Sequence, residues 1–331
     1  MSKLGILVTQ YNEDEKILKN LLDSIAVQQN VDLKEIEVII CNDGSDTIIS
    51  SEFFNKYDFS IKYIRHEHKG VSATRNACLD NSTAEYVMFC DIDDMFENMY
   101  SLSRIFFEMQ RPFDGLVCSF IEELKIPDGT IKLLKKDNDS VFVHGKVYRR
   151  AFLVENNIRW NENLTIHEDS YFNILCKQLA KEYRYCNEQI YIWKWRDASV
   201  CRRDPKYILK TYTNLLDSNE ALIDELTRRG MGKEAGQVAY SALFDFFYTL
   251  NKQEWMDSSN AEYVNKTLER FRQFFAKYQK IIANVSDEEK KQIIYMIRNR
   301  MSGEGVLVES LTFKDYMLMI GGTKWNTLKK S

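Results

Sequence analysis

The chain has 331 residues, of which 44% are hydrophobic, and it contains only 3 prolines and 13 glycines. This length corresponds to one large domain or two, and the composition excludes a collagen-like, low-complexity or disordered chain. The net charge of −4 is uneven, because residues 1–200 carry 24 basic and 32 acidic side chains and residues 201–331 carry 21 and 17. The acidic part is where a metal would bind. The basic part fits either an anionic partner or ordinary solvated helix faces.

Cysteine usage and hydropathy predict the compartment. The 7 cysteines include no Cys-x-x-Cys pair, and several, such as Cys41 and Cys90, stand in apolar runs. This pattern predicts reduced core cysteines in a cytoplasmic protein. The N-terminus lacks the apolar stretch of a signal peptide, and no run approaches the roughly 20 apolar residues of a membrane span. Peripheral membrane attachment is left open.

Short apolar runs alternate with helical patterns over the first hundred residues. KLGILVTQ, IEVIIC, FSIKYIRH and AEYVMFC have strand length, and helical spacing follows the first in EDEKILKNLLDSIAVQQ and the third in GVSATRNACLD. This alternation predicts an α/β domain in which helices cover both faces of a parallel sheet. Ligands of such sheets bind at the carboxyl ends of the strands. Polar clusters stand at those ends, at residues 9–13, 42–45, 66–70 and 91–94.

The pattern changes after Asp114. DGLVCSFIEEL and GTIKLL predict a hairpin or mixed sheet, KVYRRAFLVENN and EDSYFNILCKQLA predict helices, and EQIYIWKW predicts a further strand. From about Pro205 the pattern is helical, with aromatic stripes typical of packing surfaces. We predict a first domain of residues 1–203 and a helical second domain of residues 204–331. The second domain would serve either acceptor recognition or oligomerisation, in which case the chain would form a homo-oligomer.

The fourth predicted strand ends in Asp91, Asp93 and Asp94. One interpretation is a solvated turn or a helix start, since aspartate favours both. The other is a divalent cation held by carboxylates, which suit magnesium or manganese; the position at a strand end favours it. The chain has neither GxGxxG nor GxxxxGK[ST]. A nucleotide would therefore be held by side chains such as Asp43 and by the metal on its phosphates.

Five segments, in order and spacing, resemble family 2 glycosyltransferases of the GT-A fold: ILVTQYNE, VIICNDGSDT, HKGVSATRNACLD, YVMFCDIDD and NLTIHEDSYFN. GKVYRRAFLVENNIRW and IYIWKWRDASV are similar to later segments of bacterial members that build surface polysaccharides. The resemblance covers residues 3–200 and implies a nucleotide-diphosphate sugar donor, most often a UDP-sugar, Mn²⁺ or Mg²⁺ as cofactor, and a glycan or lipid-linked acceptor. Gln10 departs from the proline of many relatives. The Gln-x-x-Arg-Trp motif of processive polymerases is absent, which favours single-sugar transfer.

The resemblance also implies a donor site. Its implied members are Thr9, Tyr11 and Glu13 at the base and ribose, Asp43 at the uracil ring, Arg75 at the base or diphosphate, and Asp91 with Ile92 at the ribose or a metal-bound water. Arg196 and Ser199 are expected near the diphosphate or on a mobile loop after the last strand. Asp93 is the implied cation ligand, with Asp91 and His144 as further candidates. Simpler interpretations stay open: Asp43 builds a turn, Arg75 forms a surface ion pair, and His144 is a structural histidine.

Sugar transfer in an inverting enzyme needs a base for the acceptor hydroxyl, stabilisation of the leaving diphosphate and alignment of the two substrates. The resemblance implies Asp169 as this base and Glu168 as its catalytic neighbour, which orients Asp169 or touches the acceptor. Both acids also suit a helix N-terminus without catalysis. The aromatic side chains of Tyr191, Trp193 and Trp195 either stack on an acceptor sugar or form the core face of a strand.

Two other classes compete with a glycosyltransferase. A nucleotidyltransferase usually has a glycine-rich, lysine-bearing loop after its first strand, which TQYNEDE lacks. A non-catalytic glycan-binding relative would not need Asp91, Asp93 and Asp169. Protein or modified nucleic acid remains an alternative acceptor, but the basic residues are scattered, which disfavours nucleic acid.

Overall fold

The computed structural model describes residues 2–126, 128–197, 204, 206–303 and 311–321. The chain divides into two compact units, Met1–Ser199 and Val200–Ser331. Ser199, which the resemblance places near the diphosphate, lies outside the described residues.

The first unit is built on one mixed sheet. Its strands are β1 (Leu4–Gln10), β2 (Ile36–Asp43), β3 (Ser60–His66), β4 (Tyr86–Asp91), β5 (Met95–Phe96), β6 (Gly115–Lys125), β7 (Ile131–Lys136), β8 (Lys146–Arg149) and β9 (Tyr183–Trp193). Its helices are α1 (Glu15–Ala26), α2 (Ser51–Phe54), α3 (Val71–Asn81), α4 (Ser101–Glu108), α5 (Arg150–Glu155) and α6 (Glu168–Leu179). The strand order is β3-β2-β1-β4-β8-β6-β9-β5, and β7 pairs with β6.

Strands β1 to β4 form the parallel part that the sequence predicts. Thr9 on β1 lies between Cys41 on β2 and Asp91 on β4, and Asp43 lies beside His66 on β3. Because the four strands end at nearly the same level, the polar residues that follow them meet at one edge. This edge is where a parallel α/β sheet binds its ligands.

The segment KVYRRAFLVENN corrects the sequence prediction of one helix. Its first four residues form β8, which inserts antiparallel between β4 and β6, and the helix α5 begins only at Arg150. Val147 and Tyr148 are completely buried. A β-branched and an aromatic residue favour a pleated, buried strand, and four residues are too few to show a period.

Apolar side chains cover both faces of the sheet. On one face Leu18, Leu21 and Ile25 of α1 pack with Ile6 and Val8 of β1. On the other, the Phe89 ring meets Trp160 and Phe172 edge-on, and those two rings stack 4.1 Å apart. The central parallel strands β1, β2 and β4 are thus buried on both sides, as expected for parallel strands.

The second unit is helical in its described part. Its helices are α7 (Tyr207–Arg228), α8 (Gly232–Thr249), α9 (Gln253–Met256), α10 (Ala261–Ala283), α11 (Asp287–Gly303) and α12 (Phe313–Met319). As the aromatic stripes predict, Phe246 and Phe271 stack at 4.5 Å in its core. Among the helices described in either unit, none has the length and apolarity that crossing a bilayer requires.

Candidate functional site

Asp43 ends β2 at the ligand-binding edge. Its carboxylate accepts hydrogen bonds from the backbone N–H of Lys69 (2.8 Å) and of Gly70 (3.0 Å), and the Nδ1 atom of His68 lies 2.9 Å from it. A side chain at Gly44 would place its Cβ 2.5 Å from the backbone nitrogen of His68. The Asp43 carboxylate therefore holds the loop after β3 against the end of β2. Within the NDGS turn it is the Asn42 side chain that accepts the Ser45 N–H, at 2.7 Å.

Tyr11 lies beside this loop. Its ring stacks on the His68 ring with 4.4 Å between centroids and 27° between planes. Tyr11 is 48% exposed, so one aromatic face is available to solvent next to Asp43. The neighbouring Asn12 has φ 67°, and its N–H donates to Ser45 Oγ at 2.8 Å.

Arg196 links two parts of the edge that are far apart in the chain. Its guanidinium donates to Asp93 at 2.9 Å and to Glu13 at 3.3 Å. Burial raises the pKa of Glu13 against the opposing effects of the Tyr11 N–H and of Arg196. The loop after β9 is thereby tied to the loops after β1 and β4.

Asp94, the third acid of the cluster after β4, is completely buried. Its carboxylate accepts hydrogen bonds from the Tyr191 hydroxyl (2.8 Å) and the Lys194 N–H (2.9 Å), and His144 Nδ1 lies 3.5 Å away. Burial, followed by the charges of Asp93 and Asp91, raises the pKa of Asp94 well above its usual range. Burial and the Asp91 charge likewise raise the pKa of Asp93.

These acids and one imidazole form a candidate cation site. Asp91, Asp94 and His144 each offer a ligand atom, and these atoms all lie within 4.8 Å of one another. Oxygen ligands with a single imidazole suit manganese, and oxygen ligands alone suit magnesium. Repulsion among the carboxylates would be relieved by a cation, so the donor set fits one.

Arg75 joins this cluster to α6. Its guanidinium donates to Glu168 at 2.9 Å, Asp169 at 2.8 Å and Asp91 at 3.2 Å, and it lies 4.4 Å above the Trp160 ring. The Arg75 side chain is only 5% exposed. Burial lowers the pKa of Arg75, but the three acids outweigh burial and raise it. Arg75 is therefore a buried clamp on carboxylates and not a surface ion pair.

Asp169 lies in the first turn of α6, after His167 at φ 61°. Its second oxygen accepts the backbone N–H of Val143 at 3.0 Å. Burial raises the pKa of Asp169 to about 7, even though Arg75 opposes the rise; the charges of Glu168 and Asp91 add to it. A carboxyl group with a pKa near 7 is suited to accept a proton at neutral pH.

The remaining predicted residues occupy the same edge with two qualifications. Thr9 lies directly opposite Asp91 on the neighbouring strand. The Ile92 side chain is buried in the core, so this residue would meet a ligand only through its backbone. Tyr191 is fully buried, and Trp193 packs on Phe142 and His144, which favours the core interpretation of that aromatic series.

Sequence analysis missed several contacts of the site. Asp94 belongs to the predicted acidic cluster after the fourth strand, but no individual role was predicted for it. His68 belongs to the polar cluster after the third strand, and no contact was predicted for it. The Val143 N–H is a backbone group, and backbone groups carry no residue-specific signal. Its link to Asp169 appears only when the fold brings the segment before β8 to α6.

Residues 5–180 match the family model described as Glycosyl transferase family 2. This match spans more than half of the chain. The fold and the match define a glycosyltransferase of the GT-A fold, as the motifs predict. The chain belongs to glycosyltransferase family 2.

Three similar curated proteins come from bacteria. Glycosyltransferase GlyA of Streptococcus pneumoniae is 32% identical over 270 residues, covering 73% of this chain and 37% of GlyA. Putative glycosyltransferase EpsH of Bacillus subtilis is 24% identical over 243 residues, covering 67% of this chain and 69% of EpsH. The poly(ribitol-phosphate) β-N-acetylglucosaminyltransferase TarS of Staphylococcus aureus is 24% identical over 234 residues, covering 67% of this chain and 39% of TarS. The alignments thus span well under half of GlyA and TarS.

Solved structures show the same fold. TarS 1–349 in complex with UDP-GlcNAc aligns with a TM-score of 0.61 at 18% identity, over 98% of this chain and 92% of that one. The mannosyltransferase PcManGT from Pyrobaculum calidifontis, in complex with GDP-Man and Mn²⁺, aligns with a TM-score of 0.51 at 13% identity, over 98% and 87%. At these identities the likeness concerns the fold alone.

Proposed function

We propose that this chain is an inverting, metal-dependent glycosyltransferase that moves a hexose or N-acetylhexosamine from a UDP-sugar to a hydroxyl group of a surface glycan or of a teichoic-acid-type polymer. The single observation that best supports this function is the Arg75 clamp. It holds the candidate base Asp169 next to Asp91 of the candidate cation site. The candidate general base and the candidate cation site therefore lie next to each other.

The transfer has a simple balance of bonds. The acceptor oxygen forms a bond to the anomeric carbon of the sugar, and the bond from that carbon to the diphosphate oxygen breaks. The electron pair of the broken bond leaves with UDP. The hydroxyl proton goes to the carboxylate of Asp169 as the acceptor attacks. Attack opposite the leaving group inverts the anomeric configuration.

The acid cluster supports the metal part of the proposal. Asp91, Asp93, Asp94 and His144 are the residues that would hold Mn²⁺ or Mg²⁺, and Glu13 and Arg196 adjoin them through Asp93. A bound cation would act as a Lewis acid that stabilises charge on the diphosphate. Arg75 contributes by fixing the carboxylates, since its guanidinium is already occupied by three of them.

UDP as the nucleotide is supported by Tyr11, whose half-exposed ring adjoins the loop that Asp43 holds, and by the names of TarS and its UDP-GlcNAc complex. The acceptor is supported by the relative TarS, whose name describes N-acetylglucosamine transfer to poly(ribitol phosphate). We assign acceptor recognition or oligomerisation to residues 204–331, donor chemistry to residues 1–203, and a cytoplasmic location to the enzyme.

The test measures UDP release from UDP-glucose, UDP-galactose and UDP-N-acetylglucosamine, with and without MnCl₂. Glycans, poly(ribitol phosphate) and poly(glycerol phosphate) serve as candidate acceptors, and the anomeric configuration of the product is read by NMR. We expect manganese-dependent release from at least one donor, stimulated by one acceptor. Absence of manganese-dependent UDP release with every donor and acceptor would reject the proposal, and so would a product of retained configuration.

Replacing Tyr11 tests the nucleotide pocket. Stacking of a base on an aromatic ring contributes about 1–3 kcal/mol, so Tyr11→Ala should weaken UDP binding roughly 5- to 150-fold. Titration calorimetry with UDP measures the change. Because the Tyr11 ring is half exposed, the melting temperature should change little, and Tyr11→Phe should bind UDP as the parent does. If Tyr11→Ala binds UDP as tightly as the parent, the uracil base does not stack on Tyr11.

The pH dependence follows from Asp169. As its pKa is raised to about 7, the carboxyl group is protonated below that pH and cannot accept the hydroxyl proton. We expect kcat/KM to fall about tenfold per pH unit below pH 7 and to level off above it. Initial rates from pH 5.5 to 8.5 at subsaturating donor measure this. A rate that falls as pH rises through 7 would contradict the assignment.

A further inference from the structure

Lys146, the first residue of β8, is a buried cation outside the acid cluster. It is 1% exposed, and its ammonium lies 3.4 Å from Asp139 Oδ1 and 3.5 Å from the carbonyl oxygen of His144, and it donates to the carbonyl oxygen of Phe142. All three partners belong to the segment Asp139–His144, which we call the base loop. Burying a charge is costly unless hydrogen bonds compensate it, so this ammonium needs the base loop in its present conformation.

The base loop is held from within and from α6. The Asp139 carboxylate accepts the N–H groups of Val141 (2.9 Å) and Phe142 (2.8 Å). On α6, one turn after Asp169, the Asn173 amide donates to the carbonyl oxygens of Val141 (2.6 Å) and Phe142 (3.0 Å). The loop thus has a defined turn, an ammonium beneath it and a helix beside it.

Val143, the next residue of the base loop, contacts the candidate general base Asp169. The Val143 N–H donates to Asp169 Oδ2 at 3.0 Å, while Arg75 holds Oδ1 at 2.8 Å. The direction of the Asp169 carboxylate is therefore set by one guanidinium and one backbone amide. Arg75 fixes one oxygen, and the base loop fixes the other.

We propose that Lys146 is a positioning residue for sugar transfer: its ammonium locks the base loop so that the Val143 N–H holds the carboxylate of Asp169 in the orientation that accepts the acceptor proton. This inference rests on the proposed role of Asp169. It gives Lys146 no contact with donor or acceptor. Loss of the ammonium therefore acts on the rate of the chemical step and leaves nucleotide affinity unchanged.

The test compares the parent with Lys146→Met, which replaces the ammonium side chain by an uncharged, unbranched one that is a single heavy atom shorter. We expect kcat for UDP release to fall about 10- to 100-fold, since small misplacements of reacting groups have effects of this size. The Kd for UDP should stay within twofold. Amide hydrogen exchange should speed up at Val143 and remain slow at Val147 in β8. A Val143 amide that stays as protected as in the parent, or an unchanged kcat, overturns the proposal.

Two further variants separate positioning from folding. Asp139→Asn should leave β8 folded but weaken the contact between the base loop and the Lys146 ammonium. It should therefore lower kcat and speed up exchange at Val143 by smaller factors than Lys146→Met does. If Lys146→Met does not fold, Asp139→Asn tests the proposal in its place. Asp114→Asn is the matched control, because Asp114 accepts a hydrogen bond from Arg149 (2.7 Å) at the other end of β8. It should lower the melting temperature with kcat and Val143 exchange unchanged.

The proposal and the function beneath it fail differently. If Asp169→Asn is inactive while Lys146→Met changes neither kcat nor exchange at Val143, only the positioning role is wrong. If Asp169→Asn transfers sugar at the parent rate, the base assignment is wrong and the role of Lys146 falls with it.

Discussion

Asp169→Asn should reduce the rate of sugar transfer about 10²- to 10⁴-fold, the contribution of a positioned general base. The amide is nearly the same size and can still meet Arg75 or Val143, but it cannot take up the acceptor proton at neutral pH. Steady-state rates of UDP release with a transfer acceptor measure the loss. The variant should fold, because it removes one of three crowded negative charges beside Arg75.

Nucleotide binding provides the internal control for this experiment. Asp169 lies on α6, whereas the residues predicted to bind the uracil base are Tyr11, after β1, and Asp43, at the end of β2. The Kd for UDP should therefore remain within about twofold of the parent value. The pH dependence of residual activity should also lose its limb near pH 7. If the Asp169→Asn enzyme folds correctly and is as fast as the parent, Asp169 is not the general base.

The sequence predicts the parallel part of the fold well because its signals are local. Strand-length apolar runs end in polar residues such as Asp43 and Asp91, and parallel strands bring their carboxyl ends to one edge. The motif order then identifies the family, which the match over residues 5–180 confirms. β8 is missed because four residues at the start of a helical pattern show no period of their own.

The connections within the site are harder to predict, since they join segments far apart in the chain. Nothing local indicates that Arg75 is buried beneath Glu168 and Asp169, or that Arg196 spans Glu13 and Asp93. Lys146 is a similar case, because a lysine is expected at the surface. Its burial depends on carbonyl oxygens whose positions only the complete fold determines. The roles of these residues stay predictions until the variants are measured.

Arg75→Met should destabilise the first unit by about 3–5 kcal/mol, the usual effect of removing one partner from a buried ionic network. The single positive charge of the guanidinium is shared by Asp91, Glu168 and Asp169 and offsets part of their repulsion. Without it these acids repel one another in a site with little water. This loss corresponds to a decrease in melting temperature of roughly 6–20 °C, which differential scanning calorimetry measures. Transfer activity should fall as well, because Asp169 loses the contact at one oxygen.

The pH dependence of this loss distinguishes charge repulsion from simple loss of packing. Without Arg75 the pKa of Asp169 should rise further above its unfolded value, so the native state would favour the protonated acid. Because the parent pKa of Asp169 is already about 7, the deficit in unfolding free energy that comes from this acid should be small below pH 7 and grow as the pH rises through 7 to 9. A packing defect would be independent of pH. Arg159→Met is the matched control, because Arg159 pairs with Asp80 at 2.6 Å at the surface, and exposed pairs contribute about 0–1 kcal/mol. Equal stability losses in the two variants would mean that Arg75 does not clamp the acids.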